Sequence, residues 1–389
     1  MKKHISLEYL LSGFDIELFL NEFYGNKHLY ISRNDIEFYK SIFSIERYDS
    51  LINENIFSSK FLKISKLNSN LDKSLYSVYD SINKEHQINI AKSLELFLDG
   101  YTIVIDEVSQ YDRNILDLEI DLSNNLKFVQ NISTNSYLTP KESQAFPLHY
   151  DVQDVFILQI YGSKKWQIFP DSYNPKPLDF SYEYLLDEIK EQNLEGTTLT
   201  LTQGDLLYLP RGMSHEVSTN LEASLHLTIS VVNYTISDLV EKCIHQIKKE
   251  NSFFRTNINS NKNAEEYKKM IISNLQCFDF QSIISNLENK NKYNSLVNLK
   301  GTLLNNINPP NLLGLSFFFR KDVKIYIEND LETVFEYGHK KTSIEGDFTF
   351  LSKIDTFDIQ LLNKSLNNSE LAEELLYYLI FEGFATKTT

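Results

Sequence analysis

The chain has 389 residues, of which 42% are hydrophobic and 13% aromatic, so it is not a disordered protein and is long enough for two or three folded units. Its formal net charge of −15 argues against general binding to nucleic acid or anionic membranes and suits a basic partner. The two cysteines, Cys243 and Cys277, exclude a disulfide framework. No segment reads as a signal peptide or a membrane span, so we expect a cytoplasmic protein.

The N-terminal segment carries apolar residues at helical spacing. The stretch from Ser6 to Phe23 predicts short helices, which Gly25 and Asn26 end. A short strand is predicted at Leu29–Ile31.

From about Tyr101 to Asn233 the pattern changes to short alternating runs separated by turn residues, which indicates a β-sandwich or barrel. After Asn233 the pattern predicts helices. A final unit is predicted from about Gly301, with mixed strands, among them the run "GDFTFL", and a last helix, "SELAEELLYYLIFEG".

Three polar side chains of the β region could hold a metal ion. His149 and Asp151 stand two residues apart on a predicted strand and would share one face, and His215 follows a bend at Pro210–Gly212. Two histidines and one carboxylate fill one face of an octahedral iron(II) and leave three positions open. Taken singly, His149 could be a structural histidine and His215 a surface residue. The three together, each on its own β element, favour a metal site.

Lys164 is predicted to be a buried cation. After the Gly162-Ser163 turn, Lys164 and Trp166 share the inward face of a strand, and Lys165 lies on the other face. A buried ammonium needs an anionic partner, which could be a structural acid or the carboxylate of a small co-substrate. In the last strand of the region, the polar face with His226 could be solvated or could face a ligand cavity.

The motifs "YLTP", "PLHYDVQDVFILQIYGSKKWQIF", "GDLLYLPRGMSHEV" and "HLTIS", in this order, resemble those of JmjC-type 2-oxoglutarate oxygenases of the cupin superfamily, in the ribosomal oxygenase branch. The resemblance implies a mainly β fold with added helices. It implies a double-stranded β-helix (cupin, jelly-roll) catalytic domain with a helical N-terminal segment over residues 1–235. A helical dimerisation region over 236–300 and a winged-helix-like domain over 301–389 would follow.

By position in these motifs, the resemblance implies a complete site. His149, Asp151 and His215 correspond to the iron ligands, and Lys164 to the basic residue that grips the distal carboxylate of 2-oxoglutarate. The further residues implied at the co-substrate are Tyr137, Ser230 and Asn135. Bacterial relatives that act on arginine tend to carry Arg at the position of Lys164. Tyr24 and His28 also depart from the family, which usually has Trp and Pro there.

The implied function is hydroxylation of a His or Arg side-chain carbon in a ribosomal protein, with Fe(II), 2-oxoglutarate and O2. Alternatives are a peptide-tailoring hydroxylase of a natural-product pathway, a JmjC-type demethylase, and a cupin that serves only as a binding module. The expected partners are a basic protein or peptide substrate and a second copy of the chain. Nucleic-acid binding is not expected, because the C-terminal segments carry more acid than base.

Overall fold

The structure is a computed structural model. It describes residues 6–388 except 55–56, 67–68, 145, 170–181, 220, 259–261, 277–278, 290–298, 300, 321–322, 329–331 and 339. The chain divides into two compact units, Met1–Asn291 and Lys292–Thr389. Within the described residues, no helix combines the length and the apolar character that crossing a bilayer requires.

The N-terminal segment consists of short capped elements, as predicted. Ser6 accepts a hydrogen bond from the Tyr9 amide at the start of the first helix, and Asp15 caps the second in the same way. The helices and strands from the N-terminus to β7 are α1 Leu7–Leu10, α2 Ile16–Leu18, β1 Leu29–Ile31, α3 Ile45–Glu54, β2 Leu62–Lys66, β3 Ser69–Asn70, β4 Ser77–Asp80, β5 Glu85–Ile88, α4 Ile90–Leu98, β6 Thr102–Ile105, α5 Arg113–Asn125 and β7 Val129–Thr139.

The first unit continues as strands with one further helix. These elements are β8 Asp154–Tyr161, β9 Lys164–Phe169, α6 Tyr182–Glu191, β10 Thr197–Leu201, β11 Leu206–Leu209, β12 Ser214–Ser218 and β13 Ser224–Asn233. Helices α5 and α6 lie between the predicted strand runs of 101–233 and were not predicted. Helix α5 forms because Asp112 caps it and its apolar residues recur at helical spacing, with Ile115, Leu118 and Leu122 fully buried.

Two antiparallel sheets make up the core of the first unit. The large sheet has eight strands in the order β1-β11-β8-β13-β7-β6-β2-β3, and the small sheet has three in the order β10-β9-β12. This arrangement is consistent with the jelly-roll expectation. The core residues that join the sheets are Val155, Ile157, Trp166, Ile168, Leu201, Leu207, Leu209 and Met213. Burying each aliphatic side chain contributes about 1.5–3 kcal/mol.

The first unit ends in three helices, α7 Ile236–Glu250, α8 Ala264–Gln276 and α9 Phe280–Asn289. Helix α7 starts with a capping box, in which Thr235 and Asp238 each satisfy the other's main-chain amide. The predicted helices of this region are thus confirmed. Their role as a dimerisation region stays a prediction.

The second unit has its own core and two small sheets, of strands β15-β16-β17 and β14-β18. Its elements are α10 Thr302–Ile307, β14 Phe317–Phe319, β15 Lys324–Glu328, β16 Glu332–Tyr337, β17 Lys340–Glu345, α11 Ile359–Leu366, α12 Ser369–Phe381 and β18 Ala385–Lys387. The strand predicted in "GDFTFL" is wrong. The Asp347 side chain accepts from the Thr349 amide at 2.9 Å, and this turn starts the 3-10 segment Thr349–Lys353. The winged-helix-like comparison stays a prediction.

Candidate metal and anion site

A two-residue bridge brings the two histidines of the predicted metal site together. The His149 amide donates to the His215 carbonyl at 2.9 Å, and the His215 amide donates to the His149 carbonyl at 2.7 Å. The two imidazole centroids are 4.4 Å apart. His215 is supplied by β12, whereas His149 precedes β8 in the chain.

The prediction that His149 and Asp151 share a strand is wrong, because β8 begins only at Asp154. The His149 main chain pairs with His215, and the Asp151 carbonyl accepts from the Gly212 amide at 2.8 Å. These two bonds hold the segment along the bend before β12 and not in the ladder of the large sheet. The two side chains therefore come side by side through the bend, and not through the pleat of a strand.

The structure brings His149, Asp151 and His215 into one cluster, with one ligand atom from each lying within 4.8 Å of the others. His215 Nε2 is 3.8 Å from Asp151 Oδ2. Two imidazoles and a carboxylate, supplied by two segments of the chain, are the donor set of the facial triad, which leaves positions for further ligands.

Each imidazole is oriented by a main-chain carbonyl. His149 Nδ1 lies 2.8 Å from the Pro147 oxygen, and His215 Nδ1 lies 3.1 Å from the Met213 oxygen. A carbonyl oxygen only accepts, so both Nδ1 atoms carry the proton and both Nε2 lone pairs are free for a cation. Burial lowers the pKa of His215, which keeps it neutral, the form in which imidazole binds metal. The residues present therefore fit a divalent metal ion.

The bend that carries His215 is tied to the large sheet by a buried carboxylate. Asp154 accepts from the Arg211 amide at 2.8 Å and from Asn233 Nδ2 at 2.6 Å. Burial raises the pKa of Asp154 to about 6. Gly212 allows the chain to turn here, with a φ of 83°.

Lys164 is buried, as its position in the strand predicts, with 3% of its surface exposed. Its ammonium donates to Thr139 Oγ1 at 3.0 Å and lies 3.4 Å from His226 Nδ1. Among the described residues it forms no ion pair, so the alternative of a structural acid finds no support there. Burial alone lowers the pKa of Lys164 to about 7. The neighbouring Lys165 is exposed.

One cavity of about 240 Å³ includes both the triad and the lysine. The residues that the sequence singled out all line it: Asn135, Tyr137, His149, Asp151, Lys164, His215 and Ser230. Burial raises the pKa of Tyr137, and the Asp151 carboxylate raises it further, so its phenol stays protonated. The hydroxyl is therefore available as a hydrogen-bond donor at this cavity.

The polar face of β13 points into the cavity. His226, Thr228 and Ser230 line it, while the alternating Leu225, Leu227 and Ile229 are fully buried on the opposite face. Of the two alternatives that the sequence left open, the structure thus favours the ligand-cavity one.

Several contacts of the site were not predicted from the sequence. Thr139 and His226 contact Lys164, and the ring of Trp166 lies 5.6 Å from that of His215 and 5.8 Å from that of His226. Alternation had left His226 as a possible cavity residue, since it lies four residues before Ser230 on the same strand face, but it did not indicate the contact with Lys164. No sequence signal connects Thr139 with Lys164, because their contact joins strands of different sheets.

Comparison with known protein families indicates the class of protein that this chain resembles. The family model described as "JmjC domain" matches residues 114–239, a range that includes the whole cluster and Lys164. Residues 114–239 therefore resemble a JmjC domain, and proteins of this family are Fe(II)- and 2-oxoglutarate-dependent oxygenases.

The relatives of the chain include a ribosomal oxygenase and the histidyl-hydroxylase NO66, which agrees with the resemblance of the motifs. It is 32% identical over 243 residues to the bifunctional lysine-specific demethylase and histidyl-hydroxylase NO66 of Dictyostelium discoideum, covering 61% of this chain and 45% of that protein. It is 29% identical over 228 residues to ribosomal oxygenase 2 of Mus musculus, covering 57% of this chain and 46% of the relative. The chain thus spans a little under half the length of these two relatives.

Among solved structures, the Escherichia coli ribosomal oxygenase YcfD in complex with cobalt and succinic acid matches with a TM-score of 0.46 and 13% identity, covering 96% of this chain and 98% of that one. The complex of YcfD with cobalt and 2-oxoglutarate matches with a TM-score of 0.44 and 12% identity over the same shares.

Proposed function

We propose that this chain is an Fe(II)- and 2-oxoglutarate-dependent oxygenase. The observation that carries the proposal is the pairing of two features in one cavity. One end has two imidazoles and a carboxylate within 4.8 Å of one another, and the other has a buried ammonium with no carboxylate partner among the described residues. A small organic acid that binds metal at one end and carries an anion at the other fits both.

His149, Asp151 and His215 would hold the iron through the two free Nε2 atoms and a carboxylate oxygen. The bound ion supplies the oxidative chemistry, in which O2 and 2-oxoglutarate are consumed and a substrate C–H bond is hydroxylated. The protein fixes the three ligand atoms and keeps both imidazoles in one tautomer, through the Pro147 and Met213 carbonyls.

Lys164 is suited to the distal carboxylate of 2-oxoglutarate. An ammonium has three N–H donors, and the neutral acceptors Thr139 and His226 take two of them. The third remains for an anion, and the buried setting strengthens that interaction relative to water. The Tyr137 and Ser230 hydroxyls line the same cavity and can donate to the same ligand, and Asn135 borders it.

The substrate we propose is a protein or peptide, hydroxylated at a side-chain carbon of His or Arg in a ribosomal protein. The relatives support this, because they include a histidyl-hydroxylase and a ribosomal oxygenase. The net charge of −15 also suits a basic chain. Demethylation of N-methyl-lysine is a second candidate, favoured by the name of the Dictyostelium relative.

The test is turnover followed by product analysis. Purified protein with Fe(II) and O2 should convert 2-oxoglutarate to succinate, and the same protein with its metal chelated should not. Mass spectrometry of ribosomal proteins incubated with the active protein should then show one added oxygen on a His or Arg residue. If the chain is instead a demethylase of N-methyl-lysine, methylated histone peptides would lose a methyl group. Absence of 2-oxoglutarate turnover would overturn the oxygenase proposal. Turnover without a modified ribosomal protein would overturn the substrate alone.

We further propose that residues 236–300 pair two copies of the chain. Helices α7 and α8 leave apolar side chains half-exposed, with Val240 at 49% and Ile272 at 46%. Sedimentation over a range of concentrations should show a dimer, and Val240→Glu should shift it toward monomer. A monomer at all concentrations would contradict the pairing.

A further inference from the structure

His226 has a contact that neither the metal cluster nor the family motifs explain. It is 4% exposed, and its Nδ1 lies 3.4 Å from the ammonium of Lys164. His226 belongs to the large sheet and Lys164 to the small one, so this contact joins the two sheets at the anion end of the cavity.

A β-bulge lies beside His226. In the pairing of β13 with β8, Leu225 faces Tyr161 while His226 faces Gln159, so Ile160 is the extra residue. Gln159 holds this irregularity by donating from Nε2 to the Tyr161 carbonyl and to Ser224 Oγ, both at 2.8 Å. Bulges re-aim side chains next to binding sites, and this one falls at the histidine that meets the lysine.

On its other side, the His226 ring is fixed by Tyr137. The two residues are direct partners across β13 and β7, and their rings stack at 4.9 Å with 7° between the planes. The imidazole therefore cannot rotate away from Lys164 without losing the stacking contact. Since an ammonium has no lone pair, Nδ1 must be the acceptor, and the single ring proton of the neutral imidazole is then on Nε2.

We infer that His226 is a positioning residue that aims the Lys164 ammonium and thereby makes the site selective for a 2-oxo acid with a distal carboxylate. With Thr139, it fixes two of the three N–H groups, so that the third points at the ligand. This role rests on the proposed function, because it needs 2-oxoglutarate as the ligand.

The test compares two ligands on the full-length protein loaded with Mn(II), which binds like iron but does not turn over. Calorimetry measures the affinity of the protein for 2-oxoglutarate and for 2-oxopentanoate. The second ligand has the same chain length but carries a methyl group in place of the distal carboxylate. For His226→Leu we expect 2-oxoglutarate to bind about tenfold more weakly, the value of one hydrogen bond to a charged group, and 2-oxopentanoate to bind as before. His226→Asn, whose amide oxygen can accept in place of Nδ1, should recover most of the loss.

The matched control is His245→Leu, a change at an exposed histidine of α7 that should leave both affinities unchanged. Equal weakening of both ligands by His226→Leu would mean a merely structural role and would overturn the inference, as would no weakening at all. Wild-type protein that binds neither ligand would overturn the proposed function itself.

A second measurement needs no variant. Nitrogen-15 NMR of the zinc-loaded wild-type protein should show His226 as the neutral tautomer protonated at Nε2. A proton on Nδ1 would exclude acceptance from Lys164 and would overturn the inference without affecting the oxygenase proposal.

Discussion

The two ends of the cavity are built in different ways. At the metal end, the two imidazoles are oriented by main-chain carbonyls, those of Pro147 and Met213, in segments outside the large sheet. At the anion end, the Lys164 ammonium is oriented by the side chains of Thr139 and His226, which belong to strands of that sheet. One end is fixed by the path of the chain, and the other by contacts between side chains.

This difference has a functional consequence. In the proposed site three ligand atoms converge on one ion and act as a unit, so the loss of one should disable the metal end almost completely. At the anion end, one charged side chain and several neutral neighbours together bind the carboxylate. Variants of these residues should therefore show graded losses of affinity. The predictions below test this contrast.

The largest effect is expected at the metal end. Asp151→Asn removes the only carboxylate of the cluster while keeping its shape, and Asp151 is half-buried, so the fold should persist. We expect metal content and 2-oxoglutarate turnover to fall more than about a hundredfold, beyond the range of changes to residues that merely support a ligand. Metal analysis and succinate release measure both. Asp99→Asn, at an exposed acid beyond α4, is the control, and an Asp151→Asn protein that kept its metal would disprove the ligand set.

The next effect is expected at Lys164. Lys164→Met keeps the length of the side chain and removes its charge, so the affinity for 2-oxoglutarate should fall roughly thirtyfold, while metal affinity stays unchanged. Calorimetry of the Mn(II)-loaded protein measures this. The matched control is Lys165→Met, the same change one residue along on the exposed face of β9. Equal losses in the two variants would contradict the assignment of the inward lysine.

The sequence predicted the contents of this site better than its construction. Strand alternation was enough to bury Lys164 and expose Lys165, because the side-chain period of a strand is fixed. Motif order was enough to gather His149, Asp151 and His215. The role of each residue as a ligand stays a prediction.

The rest depended on contacts that local patterns do not encode. The bridge between His149 and His215 joins segments 66 residues apart, and it replaced the strand that spacing alone predicted for His149 and Asp151. The bulge at Ile160 likewise reflects tertiary pairing, and without it the contact of His226 with Lys164 could not be foreseen.

The charge state of Lys164 should make the binding of 2-oxoglutarate depend on pH. Burial lowers the pKa of the free lysine to about 7, and a bound carboxylate raises it again, so binding above that pH takes up a proton. The Kd of 2-oxoglutarate should therefore be constant below pH 7 and rise up to about tenfold per pH unit above it. The pKa of His226 is lowered and that of Tyr137 raised, so neither titrates in this window.

Calorimetry in buffers of different ionisation enthalpy would measure this proton uptake directly. Lys164→Arg is the control, because a guanidinium stays charged throughout and its Kd should not change with pH. A wild-type Kd that was equally flat would show that Lys164 is already paired with an anion of the protein.

The smallest effect is expected where the main chain supports the metal end. Asp154→Asn weakens the bonds to the Arg211 amide and to Asn233, which should lower the free energy of unfolding by about 1–3 kcal/mol. Because the bend they hold carries His215, metal affinity should also fall, by a few fold. The matched control is Asp205→Asn, since Asp205 is also fully buried in the first unit and accepts from the main-chain amides of Arg33 and Thr202, both at 2.9 Å.

Urea unfolding and metal titration of the two variants separate local from global effects. Both variants should be destabilised by similar amounts, but only Asp154→Asn should bind metal more weakly, because only Asp154 is bonded to the bend before His215. If Asp205→Asn reduced metal affinity equally, the metal end would depend on the stability of the whole sheet and not on the local path of the chain, and the contrast between the two ends of the cavity would be lost.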